Sequence, residues 1–162
     1  MSRIYVGLVS DSHGRMERLE QMAEAAPQVT AWIHGGDYCD DANALAAYTG
    51  LPVYGVRGNN DFFIHDVPDC RNISIGGVTL TAVHGHQWYS GNRTLKLVEL
   101  GRKNGADLVL FGHTHRRFLE KHDGIFIVNP GSISLSRDSR RGTYGICSID
   151  DGVITEVRLY EV

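Results

Sequence analysis

Five short polar signatures, each placed directly after an apolar run, constrain the fold of this chain most. The apolar runs have the length and composition of β-strands, and they are Ile4–Val9, Ala31–Ile33, Val53–Val56, Val78–Val83 and Leu108–Phe111. The signatures that follow them carry Asp, His and Asn, and they are Asp11–Gly14, Gly35–Asp37, Gly58–Asp61, His84–His86 and Gly112–His115. Because an open α/β sheet brings the carboxyl ends of its strands to one edge, we expect the signatures to meet in a single crevice.

Strand-like and helix-like segments alternate over the first two-thirds of the chain. Apolar spacing and stop signals predict helices over Arg15–Ala26, Asp41–Thr49 and Thr94–Lys103. This alternation is typical of βαβ units and of a largely parallel sheet.

Two regions depart from that alternation. Asn72–Val83 is predicted to be a hairpin that turns at a pair of glycines. The last part of the chain favours successive strands, over Ile125–Val128, Thr143–Ile149 and Val153–Tyr160. Antiparallel strands beside a βαβ core predict two sheets packed together with helices outside. Since no repeat or linker interrupts the pattern, one domain over residues 1–162 is expected.

Composition and charge exclude several classes of function. The chain has 42% hydrophobic and 22% charged residues and a net charge of −3, so no basic field favours stable nucleic-acid binding. No run approaches the roughly 20 apolar residues of a membrane span, and no signal-peptide pattern is present. Three cysteines without C-x-x-C spacing indicate reduced thiols. We therefore expect a cytoplasmic protein with no membrane partner, and a homodimer stays an open alternative.

Seven side chains of the signatures offer an oxygen or an imidazole nitrogen as a metal ligand. They are Asp11, His13, Asp37, Asn59, His84, His113 and His115. Seven ligands are too many for one tetrahedral zinc, and they fit two adjacent divalent ions that share a bridging carboxylate. Mixed nitrogen and oxygen ligands favour manganese, iron, zinc, cobalt or nickel over calcium or magnesium.

The spacing and charge of these ligands indicate chemistry on phosphate esters. Asp11 and His13 stand two residues apart, so both side chains can point into one crevice. Asp37 is the natural bridge, because its two oxygens can serve two cations. The assembled site would carry net positive charge and attract phosphate esters. Two metals about 3.5–4 Å apart can lower the pKa of a bound water to roughly 7 and hold the phosphoryl oxygens.

The ordered signatures resemble those of the calcineurin-like metallophosphoesterase superfamily, whose pattern runs D-x-H, G-D, G-N-H-[DE], an isolated H and G-H-x-H. The short length and the later Asn129–Ser132 segment resemble its compact single-domain microbial phosphodiesterases, which share their fold with the retromer scaffold subunit. The resemblance implies an α/β fold, a four-layer α/β/β/α sandwich of two mixed sheets flanked by helices, with a dinuclear metal centre.

Carried over by position, the family pattern divides the candidate ligands between two metal ions. The first ion would be bound by Asp11, His13, Asp37 and His115. The second would be bound by Asp37, Asn59, His84 and His113. The family's usual ions come with the resemblance: manganese first, with nickel, zinc or iron as alternatives.

The candidate catalytic residues are Asn60, Asp61 and His86. Many family members have a histidine where this chain has Asn60, and the compact subfamily usually has cysteine. An amide can donate a hydrogen bond to a leaving group but no proton, so we expect weak activity on phosphomonoesters. Asp61 is expected to orient Asn60 or a metal ligand. His86 is a candidate for facing the substrate, and a supporting or surface role stays equally open.

The function indicated is a metal-dependent phosphodiesterase, in which a hydroxide bound to both metals attacks phosphorus in a small phosphate ester or nucleotide. The alternatives are a phosphomonoesterase or nucleotide pyrophosphohydrolase, and a non-catalytic, retromer-like protein-interaction scaffold. A scaffold would have no need to keep all seven ligands. A basic group after the last signature is either a solvated loop or a cradle for substrate phosphate, and it consists of Arg137, Arg140 and Arg141.

Overall fold

The computed structural model describes residues 3–162, which form strands and helices in alternation up to the strand Val53–Gly55 and mostly successive strands afterwards, with a short 3-10 helix at Asn59–Asp61. The helices are α1 (Met16–Ala25), α2 (Asp40–Thr49) and α3 (Arg93–Asn104). The strands are β1 (Ile4–Val9), β2 (Ala31–His34), β3 (Val53–Gly55), β4 (Cys70–Ile75), β5 (Val78–Val83), β6 (Leu108–Leu110), β7 (Arg117–His122), β8 (Ile125–Pro130), β9 (Thr143–Asp150) and β10 (Val153–Glu161). Within this range, no helix is both long and apolar enough to cross a membrane.

The strands form two five-stranded mixed sheets. The first has the order β10-β9-β1-β2-β3, in which β1, β2 and β3 are parallel and β9 runs antiparallel to its two neighbours. The second has the order β4-β5-β6-β8-β7, with β5, β6 and β8 parallel and an antiparallel strand at each edge. The predicted pair of mixed sheets is confirmed.

Buried apolar side chains fill the space between the layers. Between the sheets, Leu8 from β1 packs in the same cluster as Leu80 from β5. On the outer face of the first sheet, Leu19 of α1 joins Trp32 of β2. On the outer face of the second sheet, Leu97 of α3 joins the cluster that covers it. These three cores separate four layers, so the predicted α/β/β/α sandwich is confirmed.

The strand β7 had no counterpart in the sequence analysis. It lies at the edge of the second sheet, and its residues Arg117–His122 are half-buried or exposed. An edge strand pairs on one side only, and charged side chains such as Glu120 and Lys121 are common there because they discourage pairing with another chain. Apolar spacing therefore carries little signal for such a strand.

The three cysteines are free thiols, as their spacing predicted. Burial raises the pKa of Cys39 and of Cys147 to about 12, so both side chains stay neutral near neutral pH. Cys70 is exposed on β4.

A substitution at Gly7 of β1 tests the packing between β1 and β2. This glycine lies opposite Trp32 in the parallel pair of β1 and β2, and a Cβ at position 7 would overlap the Trp32 ring. Because overpacking a core costs about 1–3 kcal/mol, Gly7→Ala should lower the free energy of unfolding by that amount in urea titrations. Gly91→Ala is the control, since a Cβ there meets nothing within 4 Å. Equal unfolding midpoints for the two variants would contradict this packing.

Candidate metal centre

The candidate ligands lie in loops at the carboxyl ends of parallel strands. In the first sheet, Asp11 and His13 follow β1, and Asp37 follows β2. In the second sheet, the loops after β5 and β6 carry the remaining histidines, which are His84, His113 and His115. Because parallel strands end at the same edge of their sheet and the sheets pack face to face, these loops meet. The structure thus brings the first, second, fourth and fifth signatures together.

Four side chains form a compact group of possible ligand atoms. The ligand atoms of Asp11, His13, Asp37 and His115 all lie within 4.8 Å of one another. Three of the four residues are buried and His13 is half-buried, so the group is shielded from bulk water. This is the same set that the family pattern assigns to one metal ion.

His84 contacts both carboxylates of this group. Its Nε2 lies 3.4 Å from Asp37 Oδ1 and 3.7 Å from Asp11 Oδ1. The His113 ring is 5.4 Å from the His84 ring, measured between centroids. The two carboxylates therefore have imidazoles from both sheets as neighbours, which is what a second ion beside the first would require.

Unpartnered polar atoms test whether a cation fits these residues. Among residues 3–162, Asp11 Oδ1, His13 Nε2 and His84 Nε2 are buried and have no hydrogen-bond partner. The spacings around them are long: 3.3 Å from His115 Nε2 to Asp11 Oδ1 and 3.9 Å from His13 Nε2 to Asp37 Oδ2. An unpaired buried polar atom costs about 1–3 kcal/mol, so a partner of another kind is expected. Carboxylate oxygens and imidazole nitrogens at these separations fit divalent cations.

Backbone carbonyls hold two of the imidazoles, His84 and His115, at the ring nitrogen that faces away from the carboxylates. His84 Nδ1 lies 2.7 Å from the Gly35 carbonyl, and His115 Nδ1 lies 2.9 Å from the Leu135 carbonyl. A carbonyl only accepts, so each Nδ1 carries a proton, and each Nε2 faces the carboxylates as the nitrogen that can ligate a cation once it is unprotonated. This arrangement is typical of metal-binding histidines.

The backbone is left-handed at five of the seven candidate ligand positions. The φ angles lie between 50° and 73° at Asp11, His13, Asp37, His113 and His115. Non-glycine residues adopt this conformation uncommonly, at about 1–3 kcal/mol each, and such residues cluster at functional sites. The loops therefore hold these side chains in the crevice at the expense of backbone strain.

The strained loops are anchored from the last part of the chain. The Asn129 side chain donates to the Gly112 carbonyl at 2.9 Å, next to the fifth signature. The hydroxyls of Ser132 and Ser134 both donate to the Asp11 carbonyl, at 2.8 and 2.9 Å. The end of β8 and the segment after it thus clamp the loops of both sheets.

Both carboxylates keep their negative charge despite burial. Burial raises the pKa of Asp11, but His115 and His84 lower it by more, so the pKa lies below its ordinary value. Burial also raises the pKa of Asp37, and His84 and the amide of Asn60 lower it by more. The site therefore concentrates two negative charges where water is scarce.

The imidazoles fall into two groups. Asp11 raises the pKa of His115 above its ordinary value. Burial lowers the pKa of His84, but Asp37 and Asp11 raise it by more. Burial lowers the pKa of the other three, which are His13, His86 and His113. Of the second group, the candidate ligands His13 and His113 are ready to bind a cation as neutral imidazoles, whereas His84 and His115 must release protons to do so.

Asn60 and Asp61 of the third signature hold Asp37 and the turn that follows it. Asn60 donates its backbone N–H to Asp37 Oδ1 at 3.1 Å and its side-chain amide to Asp37 Oδ2 at 2.7 Å. Asp61 is buried, and its carboxylate accepts the N–H groups of Tyr38, Cys39 and Gly58 at 2.8–3.0 Å. Asp61 is therefore a positioning residue that ties the second and third signatures together.

The remaining candidates lie around the rim. Asn59 is exposed and lines a cavity of about 320 Å³ together with His86 and Arg57. His86 is half-buried, with its ring centroid 6.3 Å from that of His113. Arg137 is exposed beside the fifth signature, where its backbone N–H donates to the His115 carbonyl. Arg140 and Arg141 are exposed in the same segment.

The sequence analysis gave no role to Ser12 or Asp41, which belong to a chain of hydrogen bonds that runs from buried His34 to half-buried Asp41. His34 Nδ1 accepts the Gly36 N–H at 3.1 Å, so its Nε2 carries the proton and donates to Ser12 Oγ at 2.7 Å. Ser12 in turn donates to Asp41 Oδ2 at 2.6 Å. These hydrogen bonds fix the first signature against α2. Only the position of Ser12 between two candidate ligands hinted at this role.

Comparison with known proteins agrees with this geometry. The profile of the calcineurin-like phosphoesterase superfamily domain matches residues 4–152. A probable metallophosphoesterase of Bacillus subtilis is 31% identical over 155 residues, covering 95% of this chain and 89% of the relative. A phosphodiesterase of Methanocaldococcus jannaschii is 26% identical over 152 residues, covering 78% of this chain and 82% of the relative.

Solved structures extend the likeness to the whole fold. A predicted phosphoesterase of Streptococcus pneumoniae superposes with a TM-score of 0.83 at 27% identity, covering 99% of this chain and 91% of that one. Vps29 of Entamoeba histolytica in complex with zinc superposes with a TM-score of 0.72 at 20% identity, covering 98% of each chain, and shares the fold. The ordered signatures, their convergence on two buried carboxylates and the matched profile place this chain in the calcineurin-like phosphoesterase superfamily.

Proposed function

We propose that this protein is a metal-dependent phosphodiesterase that hydrolyses diesters of small molecules or nucleotides. The observation that carries the proposal is the cluster of Asp11, His13, Asp37 and His115, in which Asp11 Oδ1 and His13 Nε2 are buried without a hydrogen-bond partner. The relative from Methanocaldococcus jannaschii, named a phosphodiesterase, supports the choice of diester over monoester. Divalent ions, when bound, supply a water of lowered pKa and positive charge for the phosphoryl oxygens.

The chain's own residues would divide the work as follows. Asp37 would bridge two ions, since its oxygens face imidazoles on either side: His84 at 3.4 Å from Oδ1 and His13 at 3.9 Å from Oδ2. Asn59, His84 and His113 would complete the second ion's ligands, with manganese as the proposed metal. His86 at the rim would face the substrate. Asn60 would hold Asp37 in place and offer an amide N–H near the leaving group.

Hydrolysis of bis(p-nitrophenyl) phosphate tests this function. Protein stripped of metal should be inactive and should recover activity with Mn²⁺. Asp37→Asn removes the proposed bridging charge and should lower kcat by about 100-fold or more, because losing even an outer partner of a metal ligand costs about 10–100-fold. Asp151→Asn, in the exposed β9–β10 turn, is the matched control. Folded, manganese-loaded protein that hydrolyses neither diester nor monoester would point to a protein-interaction role instead.

Metal affinity should fall as the pH falls. The pKa of His84 and that of His115 lie above the ordinary value, so both imidazoles become protonated in the window around and above pH 6.5. A protonated imidazole cannot ligate a cation. Between about pH 8 and about pH 6, the dissociation constant for Mn²⁺ should therefore rise by up to about tenfold per pH unit for each proton displaced. Titration calorimetry measures this dissociation constant at each pH. His122→Gln, on the edge strand β7, is the control and should keep the wild-type pH dependence. A dissociation constant for Mn²⁺ that does not change with pH would contradict the prediction.

A histidine at position 60 should broaden the choice of leaving group. An amide cannot deliver a proton, whereas an imidazolium can, so Asn60→His should raise kcat/KM on phenyl phosphate by about tenfold or more. The same variant should show little change in kcat/KM on bis(p-nitrophenyl) phosphate, because the leaving group of that diester needs little protonation. Asn60→Ala separates this gain from loss of the bond to Asp37. Equal monoester activity in wild type and Asn60→His would refute the role of position 60.

A further inference from the structure

Three exposed aromatic side chains stand beside the metal centre. Phe62, Phe63 and Tyr38 are 76%, 62% and 47% exposed. The two phenylalanine rings meet edge to face with centroids 5.5 Å apart, and the Tyr38 ring lies 5.3 Å from the ring of the candidate ligand His13. Large apolar side chains grouped on a surface mark binding sites more often than isolated ones do.

These rings line one cavity next to the candidate ligands. The cavity has a volume of about 330 Å³, and its lining residues are Tyr38, Asp40, Asn60, Asp61, Phe62, Phe63 and Ile64. Asn60 joins it to the centre, because this lining residue also donates its side-chain amide to Asp37 at 2.7 Å. A group held here is near enough to the centre to belong to the same substrate as a phosphate held there.

The two walls of the cavity are tied to each other. The Asp61 carboxylate accepts the N–H groups of Tyr38 and Cys39, which joins the turn after β2 to the turn after the 3-10 helix. Arg57 donates to the Ile64 carbonyl at 2.7 Å and holds the far end of the phenylalanine turn. The walls are therefore set by buried and half-buried contacts, although the rings themselves are exposed.

The charges around the cavity select the chemistry of its occupant. Among its described lining residues the acids are Asp40 and Asp61, and no lysine or arginine is present. Asp61 already binds backbone N–H groups, whereas Asp40 is exposed at the start of α2. Such a lining disfavours a second phosphate. It favours a flat aromatic group whose N–H donors can reach a carboxylate.

A second cavity next to Phe62 has a different character. Its volume is about 320 Å³, and its lining includes Arg57, Asn59, His86 and Gln87. A phosphodiester carries two organic groups, so it needs two places to bind them. Phe62 lines both cavities, and the two cavities differ in polarity. The aromatic group belongs in the first cavity, because three aromatic side chains line it and offer ring faces for stacking.

We propose that the cavity bounded by Tyr38, Phe62 and Phe63 is a specificity subsite that binds the nucleobase of a nucleotide-containing phosphodiester. This inference rests on the proposed phosphodiesterase function and names the substrate class for it. The base stacks on one of the two edge-to-face phenylalanine rings and contacts the other at its edge. The phosphate, joined to the base through the sugar, lies at the metal centre beyond Asn60.

Equilibrium binding of two ligands that differ only in the base tests the subsite. AMP and ribose 5-phosphate share the sugar and the phosphate, so the ratio of their dissociation constants with manganese-loaded protein isolates the contribution of adenine. Wild-type protein should bind AMP about tenfold or more tightly than ribose 5-phosphate, as expected for stacking on aromatic side chains. Phenyl phosphate is a further ligand that separates a simple aryl ring from a base with N–H donors.

Matched variants attribute the preference to the named rings. Phe62→Ala with Phe63→Ala in one chain should bring the AMP to ribose 5-phosphate ratio to within about twofold of unity. Phe62→Leu with Phe63→Leu keeps apolar bulk without rings and should give an intermediate ratio. Tyr48→Ala removes an exposed aromatic ring on α2 and should keep the wild-type ratio. Thermal melting shows whether each variant is folded.

The outcomes separate this subsite from the proposed function. Equal binding of AMP and ribose 5-phosphate by a wild-type protein that still hydrolyses bis(p-nitrophenyl) phosphate would overturn the subsite alone, and the rings would then suit a protein partner. A base preference that disappears in the double alanine variant supports the subsite, even if no diester is hydrolysed and the proposed function fails. A base preference that survives in that variant would place the base elsewhere and overturn the subsite.

Discussion

Two buried carboxylates, Asp11 and Asp37, impose the constraint on which the rest of this structure depends. They follow neighbouring parallel strands, so the topology of the first sheet alone brings their charges together. Burial opposes ionisation, and each carboxylate stays charged because imidazoles and N–H donors surround it. His84 and His115, which supply much of this compensation, come from the second sheet. The packing of the two sheets is thus also the assembly of the site.

The loops around the carboxylates adopt strained backbone conformations that place the side chains of the candidate ligands in the crevice. Left-handed φ angles recur at the candidate ligands, and hydrogen bonds from distant segments hold those angles. Asp61 binds the turn after Asp37, and the serine hydroxyls after β8 bind the carbonyl of Asp11. The same contacts that hold the centre also shape its surroundings, because Asp61 joins the two walls of the aromatic cavity. Catalysis and substrate selection would then share one rigid support.

Local patterns predicted the strands that end at the site with bounds that differ from the structure by at most one residue, as β1 and β5 illustrate. Those strands are mostly buried, so apolar runs describe them directly. The edge strand β7 carries charged side chains and escaped the same reasoning. The contact from Asn60 to Asp37 also lay outside what spacing can show, since it depends on the approach of two loops 23 residues apart.

The sequence by itself determined the chemistry of the centre: which residue types stand after each strand, their order, and the α/β class that gathers them at one edge. It did so because strand periodicity and ligand type are local properties of the chain. Only the tertiary structure decided which atoms are left without partners, which imidazoles gain protons, and that Phe62 and Phe63 stand beside the site. Those properties depend on burial and on distances between segments remote in sequence, and packing alone sets them.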